Sequence, residues 1–173
     1  MTWLAILFGG IAVLLAVPLV VGSFLPRDHV ARMTISLAAP PERVWALVSD
    51  FAGAPRWRSD LQRVELQPGP GGAQRFVETT RQGTVTFEVV SQEPPRRQVV
   101  RVVDEGQPFG GTWTWEIQPE GSGARLTITE AGFVKNPIFR VMSRLFFPPT
   151  AALDRYLRAL ARELGENAEP RVP

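Results

Sequence analysis

The spacing of hydrophobic and polar positions changes along the chain and predicts its elements. Residues 3–25 form an apolar run without a charged side chain, and residues 30–37 then alternate between apolar and polar. Strict alternation is typical of a half-buried strand. Six later runs show the same period and are separated by turns rich in glycine and proline, which predicts an antiparallel meander. These runs are residues 62–66, 74–80, 84–90, 98–103, 111–118 and 124–134.

Helical signals flank the predicted strands. Pro40-Pro41 opens a short helix, because proline suits a first turn, and a second short helix is expected over residues 54–60. Asn136-Pro137 provides an N-cap and an N1 proline for a later helix, which Pro148-Pro149 interrupts. Thr150 is a candidate cap for its continuation, and Gly165 is a natural stop. The fold class is therefore α+β, followed by a polar tail at residues 166–173 that is expected to fray.

The first 26 residues predict a transmembrane anchor. A helical run of this length spans the hydrocarbon layer of about 30 Å, and Pro18 is tolerated in a membrane helix. The alternative is a cleaved signal peptide, but the segment lacks a basic start and a clear cleavage site. Arg27 and Arg32 follow the span, so the positive-inside rule places the domain on the cytoplasmic side of a single-pass protein.

The amino-acid composition excludes several classes of catalytic and metal-binding site. The chain of 173 residues has 19 Lys plus Arg against 17 Asp plus Glu, and it has no run of basic residues, so no nucleic-acid partner is expected. It has no cysteine and one histidine, His29, which is expected to be solvated beside the anchor. Thiolate sites, histidine-based zinc sites and Ser-His-Asp triads are therefore unavailable, and we expect no metal and no cofactor.

Two residues are weak catalytic candidates. Glu130 would face the apolar side of its strand if alternation from Leu126 and Ile128 continued, and it would then need a partner or a raised pKa. The alternative, which we favour, is a bulge or strand end near Gly132 that returns Glu130 to water. Tyr156, the only tyrosine, either offers a hydroxyl to a ligand or packs as a helix residue.

Residues 33–57, with the sequence MTISLAAPPERVWALVSDFAGAPRW, resemble the opening of the START-like superfamily, also called SRPBCC, which includes polyketide cyclase, dehydrase and lipid transport relatives. The resemblance extends over about residues 30–165, the predicted domain. It implies a helix-grip fold, in which a curved antiparallel sheet of about seven strands wraps a long C-terminal helix and leaves a cavity for an apolar ligand. Because that superfamily contains binders, transporters and enzymes, the resemblance does not select a reaction.

The resemblance gives the aromatic residues near the C-terminal helix a possible role. Aromatic rings and a flexible thioether suit an apolar ligand, and the predicted lining is Phe87, Trp113, Trp115, Phe139 and Met142. For residues 138–147, with the sequence IFRVMSRLFF, packing of the apolar side into the sheet is favoured over contact with lipid.

Three functions follow from these observations. The leading hypothesis is a membrane-anchored binding module that holds a hydrophobic small molecule or lipid between sheet and helix. The second is a polyketide cyclase/dehydrase-like enzyme that uses the same cavity, although the missing catalytic constellation disfavours an enzyme. The third is a membrane-tethered interaction domain.

Overall fold

The computed structural model describes Trp3 and residues 16–104, 106–146 and 150–173. In this part of the chain, seven strands form one sheet: β1 Asp28–Leu37, β2 Arg63–Pro68, β3 Gln74–Thr80, β4 Gly83–Glu93, β5 Arg97–Val102, β6 Phe109–Glu120 and β7 Gly123–Val134. The helices of the domain are α1 Pro41–Ser49, α2 Pro137–Phe146 and α3 Ala151–Glu163, with a 3-10 turn at Ala54–Arg56. Residues 16–24 are also helical and are called the N-terminal helix.

The sheet is antiparallel throughout and has the order β1-β7-β6-β5-β4-β3-β2. Strands β2 to β6 each pair with the next strand in the chain, and β1 lies at the edge of the sheet beside β7. This confirms the predicted α+β class with a curved antiparallel sheet and C-terminal helices, as in a helix-grip fold.

One face of the sheet forms the core. Side chains at alternate positions of β1, β6 and β7, including Ile35, Ile117 and Ile128, are almost fully buried. They pack against Val44 and Val48 of α1 and against one side of α3, whose buried residues include Leu153, Leu157 and Leu160. This face is called the inner face below.

The resemblance implies one long C-terminal helix, but this region contains two helices, α2 and α3, as the interruption predicted at Pro148-Pro149 indicated. Residues 147–149 lie outside the described residues. Proline has no N–H to continue a helical hydrogen-bond ladder, so Pro148-Pro149 in the sequence accounts for the interruption. Asn136 is confirmed as the cap of α2, because its Oδ1 accepts hydrogen bonds from the N–H groups of Ile138 and Phe139. Gly165 follows α3 with a φ of +78°, as a helix stop requires.

Two smaller predictions are wrong. The expected helix over residues 54–60 is only the turn Ala54–Arg56, which Asp50 holds by accepting hydrogen bonds from the Gly53 N–H and the Arg56 guanidinium. Thr150 makes no side-chain cap for α3, because its own backbone is already helical.

The C-terminal tail does not fray. Arg171 and Thr34 exchange two backbone hydrogen bonds of 2.8 Å, so the tail pairs with the free edge of β1. The Glu166 carboxylate accepts hydrogen bonds from the N–H groups of Ala38 and Ala39, at 2.8 and 2.9 Å. An unpaired edge strand leaves backbone groups open to association, and the tail pairs with those of Thr34 here.

Most of the predicted anchor, residues 4–15, lies outside the described residues. No helix among the residues that are described is long and apolar enough to cross a membrane.

Candidate functional site

The inner face carries a cluster of aromatic side chains around Tyr156. Its hydroxyphenyl ring lies 5.2 Å from Trp57, 5.9 Å from Trp115 and 6.1 Å from Trp113, between ring centroids. Phe76 and Phe87 stack beside them at 5.1 Å. Strand alternation explains the arrangement, since Phe87 on β4 and Trp113 and Trp115 on β6 all point to the side that α3 covers. Edge-on and stacked rings at these distances stabilise a fixed arrangement.

A buried ion pair lies next to the cluster. Nη1 of Arg58 lies 2.6 Å from Oε1 of Glu78, and each side chain is only 15% exposed. Arg58 also contacts Asp60, and its guanidinium lies 5.4 Å from the centre of the Tyr156 ring. Burial by itself lowers the pKa of Arg58, but the charges of Glu78 and Asp60 and the hydrogen bonds to both raise it further than burial lowers it. The site therefore keeps a permanent cation beside an apolar wall.

Two small cavities lie between these groups. One of about 70 Å³ is lined mainly by aromatic and aliphatic side chains, and a second of about 30 Å³ lies on the α1 side. They share five lining residues: Arg58, Phe76, Glu78, Trp115 and Tyr156. Pockets that enclose drug-sized ligands usually measure about 300–1,000 Å³, so the rings themselves fill most of this space.

Two polar groups in this region are buried. The indole N–H of Trp115 has no hydrogen-bond partner of normal geometry among the described residues. Burial raises the pKa of the Tyr156 hydroxyl, and the nearby Arg58 charge and Trp115 indole only partly offset that effect. Tyr156 therefore stays neutral at physiological pH. A buried donor without an acceptor is costly, and a ligand oxygen would remove that cost.

Glu130 is on the inner face, so the favoured expectation of a bulge that returns it to water is wrong. The pairing of β7 with β1 and with β6 continues without a shift through Glu130 to Gly132. Burial raises the pKa of the Glu130 carboxyl, against the opposing effects of the neighbouring His29 and Trp113 side chains. Its side chain is 22% exposed.

His29 is the partner of Glu130, although it was expected to be solvated beside the anchor. Its Nε2 lies 3.7 Å from Oε1 of Glu130, and its side chain is 29% exposed. Gly132 leaves room for the imidazole ring, because a Cβ at that position would meet ring atoms at 2.7 and 2.8 Å. Extending the alternation of β1 back by one residue would have placed His29 on the same face as Ala31 and Met33.

The structure brings together only part of the predicted lining. Phe87, Trp113 and Trp115 surround the 70 Å³ cavity together with Tyr156. Phe139 and Met142 lie on α2, are 53% and 44% exposed, and do not line that cavity. The sequence analysis did not predict three further residues of the site: Arg58, Phe76 and Glu78. For Glu78 the sequence does contain an indication, because Glu78 lies two residues after Phe76 on β3 and therefore on the same face of that strand. No cluster of three potential metal ligands occurs among the residues described.

Solved structures of known proteins share this fold. The aromatase/cyclase ZhuI from Streptomyces sp. R1128 is 15% identical, with a TM-score of 0.68, 80% of this chain covered and 94% of that chain. Norcoclaurine synthase from Thalictrum flavum, solved with dopamine and hydroxybenzaldehyde, is 15% identical, with a TM-score of 0.63 and coverages of 81% and 88%. The di-domain aromatase/cyclase StfQ of the steffimycin pathway is 16% identical with a TM-score of 0.65; 80% of this chain is covered, which spans 52% of StfQ.

Sequence comparison gives the family. Uncharacterized proteins of Mycobacterium tuberculosis (Rv2574) and Mycobacterium bovis (Mb2604) are each 30% identical over 146 residues, with 78% of this chain and 83% of the relative covered. The family model described as polyketide cyclase/dehydrase and lipid transport matches residues 28–169. These residues contain every strand of the sheet as well as α1, α2 and α3, so the chain belongs to the polyketide cyclase/dehydrase and lipid transport family within the SRPBCC superfamily, as its sequence pattern predicted.

Proposed function

We propose that this protein is a membrane-anchored binding module that holds a hydrophobic small molecule or lipid between the inner face of the sheet and α3. The observation that carries the proposal is the cavity under Tyr156, whose mainly aromatic lining includes Trp115. The indole N–H of Trp115 is buried and has no hydrogen-bond partner of normal geometry among the described residues. An apolar ligand with one oxygen acceptor suits such a site. Its apolar part would pack against the aromatic rings that line the cavity, and its oxygen would accept a hydrogen bond from the buried N–H of Trp115. The family description, which includes lipid transport, agrees with this ligand class.

Binding requires the lining to open. The present space of about 70 Å³ is smaller than an amphiphile. Phe87 and Trp113 are only half-buried, whereas Trp115 is 5% exposed. We therefore assign the movement to Phe87 and Trp113, at the open edge of the cluster, and the fixed contacts to Trp115 and Tyr156.

The membrane part of the proposal rests on the sequence of residues 3–25, which have no charge and enough length to span a bilayer. Arg27 and Arg32 then favour a cytoplasmic domain. An anchor would keep the cavity next to a source of apolar ligands. A reporter fused to the C-terminus of the full chain tests this topology.

The ligand proposal is tested by filling the cavity. Val100 lines it and is 2% exposed, so Val100→Phe places extra carbons where the ligand would lie. Val90→Phe adds the same atoms at a position that is 52% exposed and serves as the control. Full-length protein in lipid nanodiscs is analysed by native mass spectrometry for retained small molecules, which are then identified after extraction.

We expect a retained apolar molecule in the wild type and in Val90→Phe, and its loss in Val100→Phe. Overpacking a core costs about 1–3 kcal/mol, so the circular dichroism of both variants must first match that of the wild type. A wild type without any retained molecule, or equal retention in both variants, contradicts the proposal.

The second candidate function is an enzyme of the cyclase/dehydrase type, which the pairing of Glu130 with His29 favours. A carboxyl with a raised pKa is suited to donate a proton, and the imidazole lies 3.7 Å from it. Glu130→Gln distinguishes the two functions with an aromatic-polyketide precursor as substrate. Loss of turnover with ligand retention unchanged supports an enzyme, and absence of turnover in the wild type supports the binding module alone.

A further inference from the structure

The orientation of α2 is the reverse of that expected for a helix of a water-soluble domain. Four of its six large apolar side chains are exposed, with exposed fractions between 44% and 69%: Phe139, Met142, Leu145 and Phe146. The other two, Ile138 and Val141, are half-buried. The spacing of three and four residues places the exposed four on one side of the helix. Arg140 and Ser143, on another side, are half-buried against the domain. The favoured expectation that the apolar side of this segment packs into the sheet is therefore wrong.

Arg140 fixes this orientation by tying α2 to the end of the N-terminal helix. Its Nη1 donates to the carbonyl oxygens of Gly22 and Leu25, at 3.2 and 3.4 Å. Its Nε and Nη2 donate to the carbonyls of Val134 and Lys135, both at 2.9 Å. The free carbonyls at a helix end need donors, and a guanidinium in this position also complements the helix dipole.

The two helices meet in close backbone contact. A Cβ on Gly22 would lie 2.0 Å from the carbonyl oxygen of Pro137, so the approach is possible only for glycine. The exposed apolar residues of α2 thus lie beside an N-terminal helix whose own apolar side chains are also exposed: Val17, Leu19, Val20, Val21 and Phe24. The exposed apolar side chains of α2 therefore lie next to the described end of the segment predicted to enter the membrane.

A basic cavity lies under the same helix. It measures about 320 Å³, and its lining includes Arg27, Arg140 and Arg144 together with His29 and Ser143. No acidic side chain among the described residues lies within salt-bridge distance of the three arginines. Arg27 and Arg144 are exposed, and the Arg27 guanidinium lies 4.9 Å from the centre of the Phe133 ring. This space, called the arginine cavity below, is therefore basic, and none of its three arginines forms an ion pair among the described residues.

We propose that α2 and the arginine cavity dock onto the surface of an anionic phospholipid bilayer, with a lipid phosphate group held by Arg27 and Arg144. The apolar side of α2 enters the boundary between headgroups and acyl chains, as interfacial helices do. Arginine suits the phosphate because its planar guanidinium binds oxygens in pairs. This inference rests on the anchor in the proposed function, since the anchor brings the surface to the bilayer.

The charge of the cavity favours lipid over the other possible occupants. A second copy of the chain would bring the same three arginines to the interface, where like charges repel. A juxtamembrane basic group near an anionic bilayer instead gains about 1 kcal/mol per arginine, which is about a fivefold factor in the ratio of docked to undocked molecules.

The full chain contains no cysteine, so single labels can be placed without other changes. Met142→Cys, on the exposed side of α2, is labelled with bimane. Leu66→Cys is the matched control, because Leu66 is 53% exposed in the wild type and lies on β2, the edge strand farthest from β1 in the sheet. Both proteins are reconstituted in vesicles of phosphatidylcholine alone or with phosphatidylglycerol. Lipids with a nitroxide near the headgroup quench a label that lies in the interface.

We expect quenching and a blue shift at position 142 in the anionic vesicles, less of both in the neutral vesicles, and neither at position 66. Arg27→Gln with Arg144→Gln lowers the docked-to-undocked ratio about 25-fold. Arg81→Gln, at an exposed turn between β3 and β4, leaves it unchanged.

The outcomes separate this inference from the function on which it rests. A chain that does not float with the vesicles refutes the anchor, and the docking with it. A chain that floats with an unquenched label at position 142 refutes only the docking. A blue shift without lipid quenching overturns the docking and identifies a second copy of the chain as the partner, since no other protein is in the vesicles. Equal quenching in neutral and anionic vesicles, or no effect of the arginine substitutions, overturns the assignment of a phosphate to the cavity.

Discussion

The imidazole of His29 and the carboxyl of Glu130 meet on the inner face of the sheet, with 3.7 Å between Nε2 and Oε1. Register explains the contact: His29 is opposite Gly132 and Ala31 is opposite Glu130, so the two side chains are diagonal neighbours on adjacent strands. The only histidine of the chain is thus beside a carboxyl whose pKa burial raises.

Glu130→Gln tests how much the burial of this carboxyl lowers the free energy of unfolding at neutral pH. Because burial raises its pKa, the folded protein binds the proton more tightly than the unfolded chain. That contribution to stability is fully present below the ordinary pKa of 4.5 and is lost as pH rises through the raised pKa. We expect Glu130→Gln to flatten the pH dependence of the free energy of unfolding in this window and to be more stable at pH 7, by about 1 kcal/mol.

Chemical unfolding of the full chain in detergent between pH 4 and pH 8 measures this effect. Glu116→Gln is the control, because Glu116 lies on the other face of β6 and its side chain is 39% exposed next to Arg32. A Glu130→Gln variant that is less stable at pH 7 with an unchanged pH profile would show that the carboxylate is stabilised by His29 more than burial opposes it.

Glu78→Gln tests the buried ion pair. It leaves the Arg58 guanidinium in a site where its partner was 2.6 Å away, so we expect a loss of about 3 kcal/mol in the free energy of unfolding. The surface pair Arg63 and Glu65, with side chains 65% and 47% exposed, gives the control. Glu65→Gln is expected to cost less than about 0.5 kcal/mol in the same denaturant titration. Similar costs for both variants would mean that Arg58 is effectively hydrated.

Gly22→Ala tests the contact between the N-terminal helix and α2. A methyl group at this position meets the Pro137 carbonyl at 2.0 Å, and backbone on both sides cannot yield by a side-chain rotation. We expect α2 to shift from the N-terminal helix and its amides to exchange hydrogen faster by tenfold or more, about 1.4 kcal/mol of local opening. Ser23→Ala, at the exposed neighbouring position, should leave the exchange of α2 unchanged; a similar increase in both variants would remove the special role of Gly22.

Glu166→Ala tests the ordered tail. It removes two charge-assisted hydrogen bonds to the N–H groups of Ala38 and Ala39, which we expect to cost about 2 kcal/mol. Glu163→Ala, at an exposed position on α3, is the control. Thermal unfolding gives the loss of stability, and faster exchange of the Thr34 amide reports release of the tail from β1. An unchanged Thr34 amide would show that Arg171 holds the tail without Glu166.

The site could be predicted from the sequence only in part. Alternation predicts that Phe87 and Trp113 share the inner face with the core, because that face is determined within each strand. The pair of Arg58 and Glu78 could not be predicted, since 20 residues separate them and one of them lies in an irregular turn. The position of His29 was predicted wrongly because the predicted strand began at Val30, two residues after β1 begins at Asp28.

The sequence by itself determined the order of elements: the strands and their turns, the cap at Asn136, the break at Pro148-Pro149 and the apolar run before Arg27. All of these follow from local periodicity and from the backbone limits of proline, asparagine and glycine. Only the tertiary structure decided which side of α2 faces the domain. Periodicity shows that a helix has an apolar and a polar side. Which of the two faces the domain depends on contacts between residues distant in sequence, here between Arg140 and the carbonyl of Gly22.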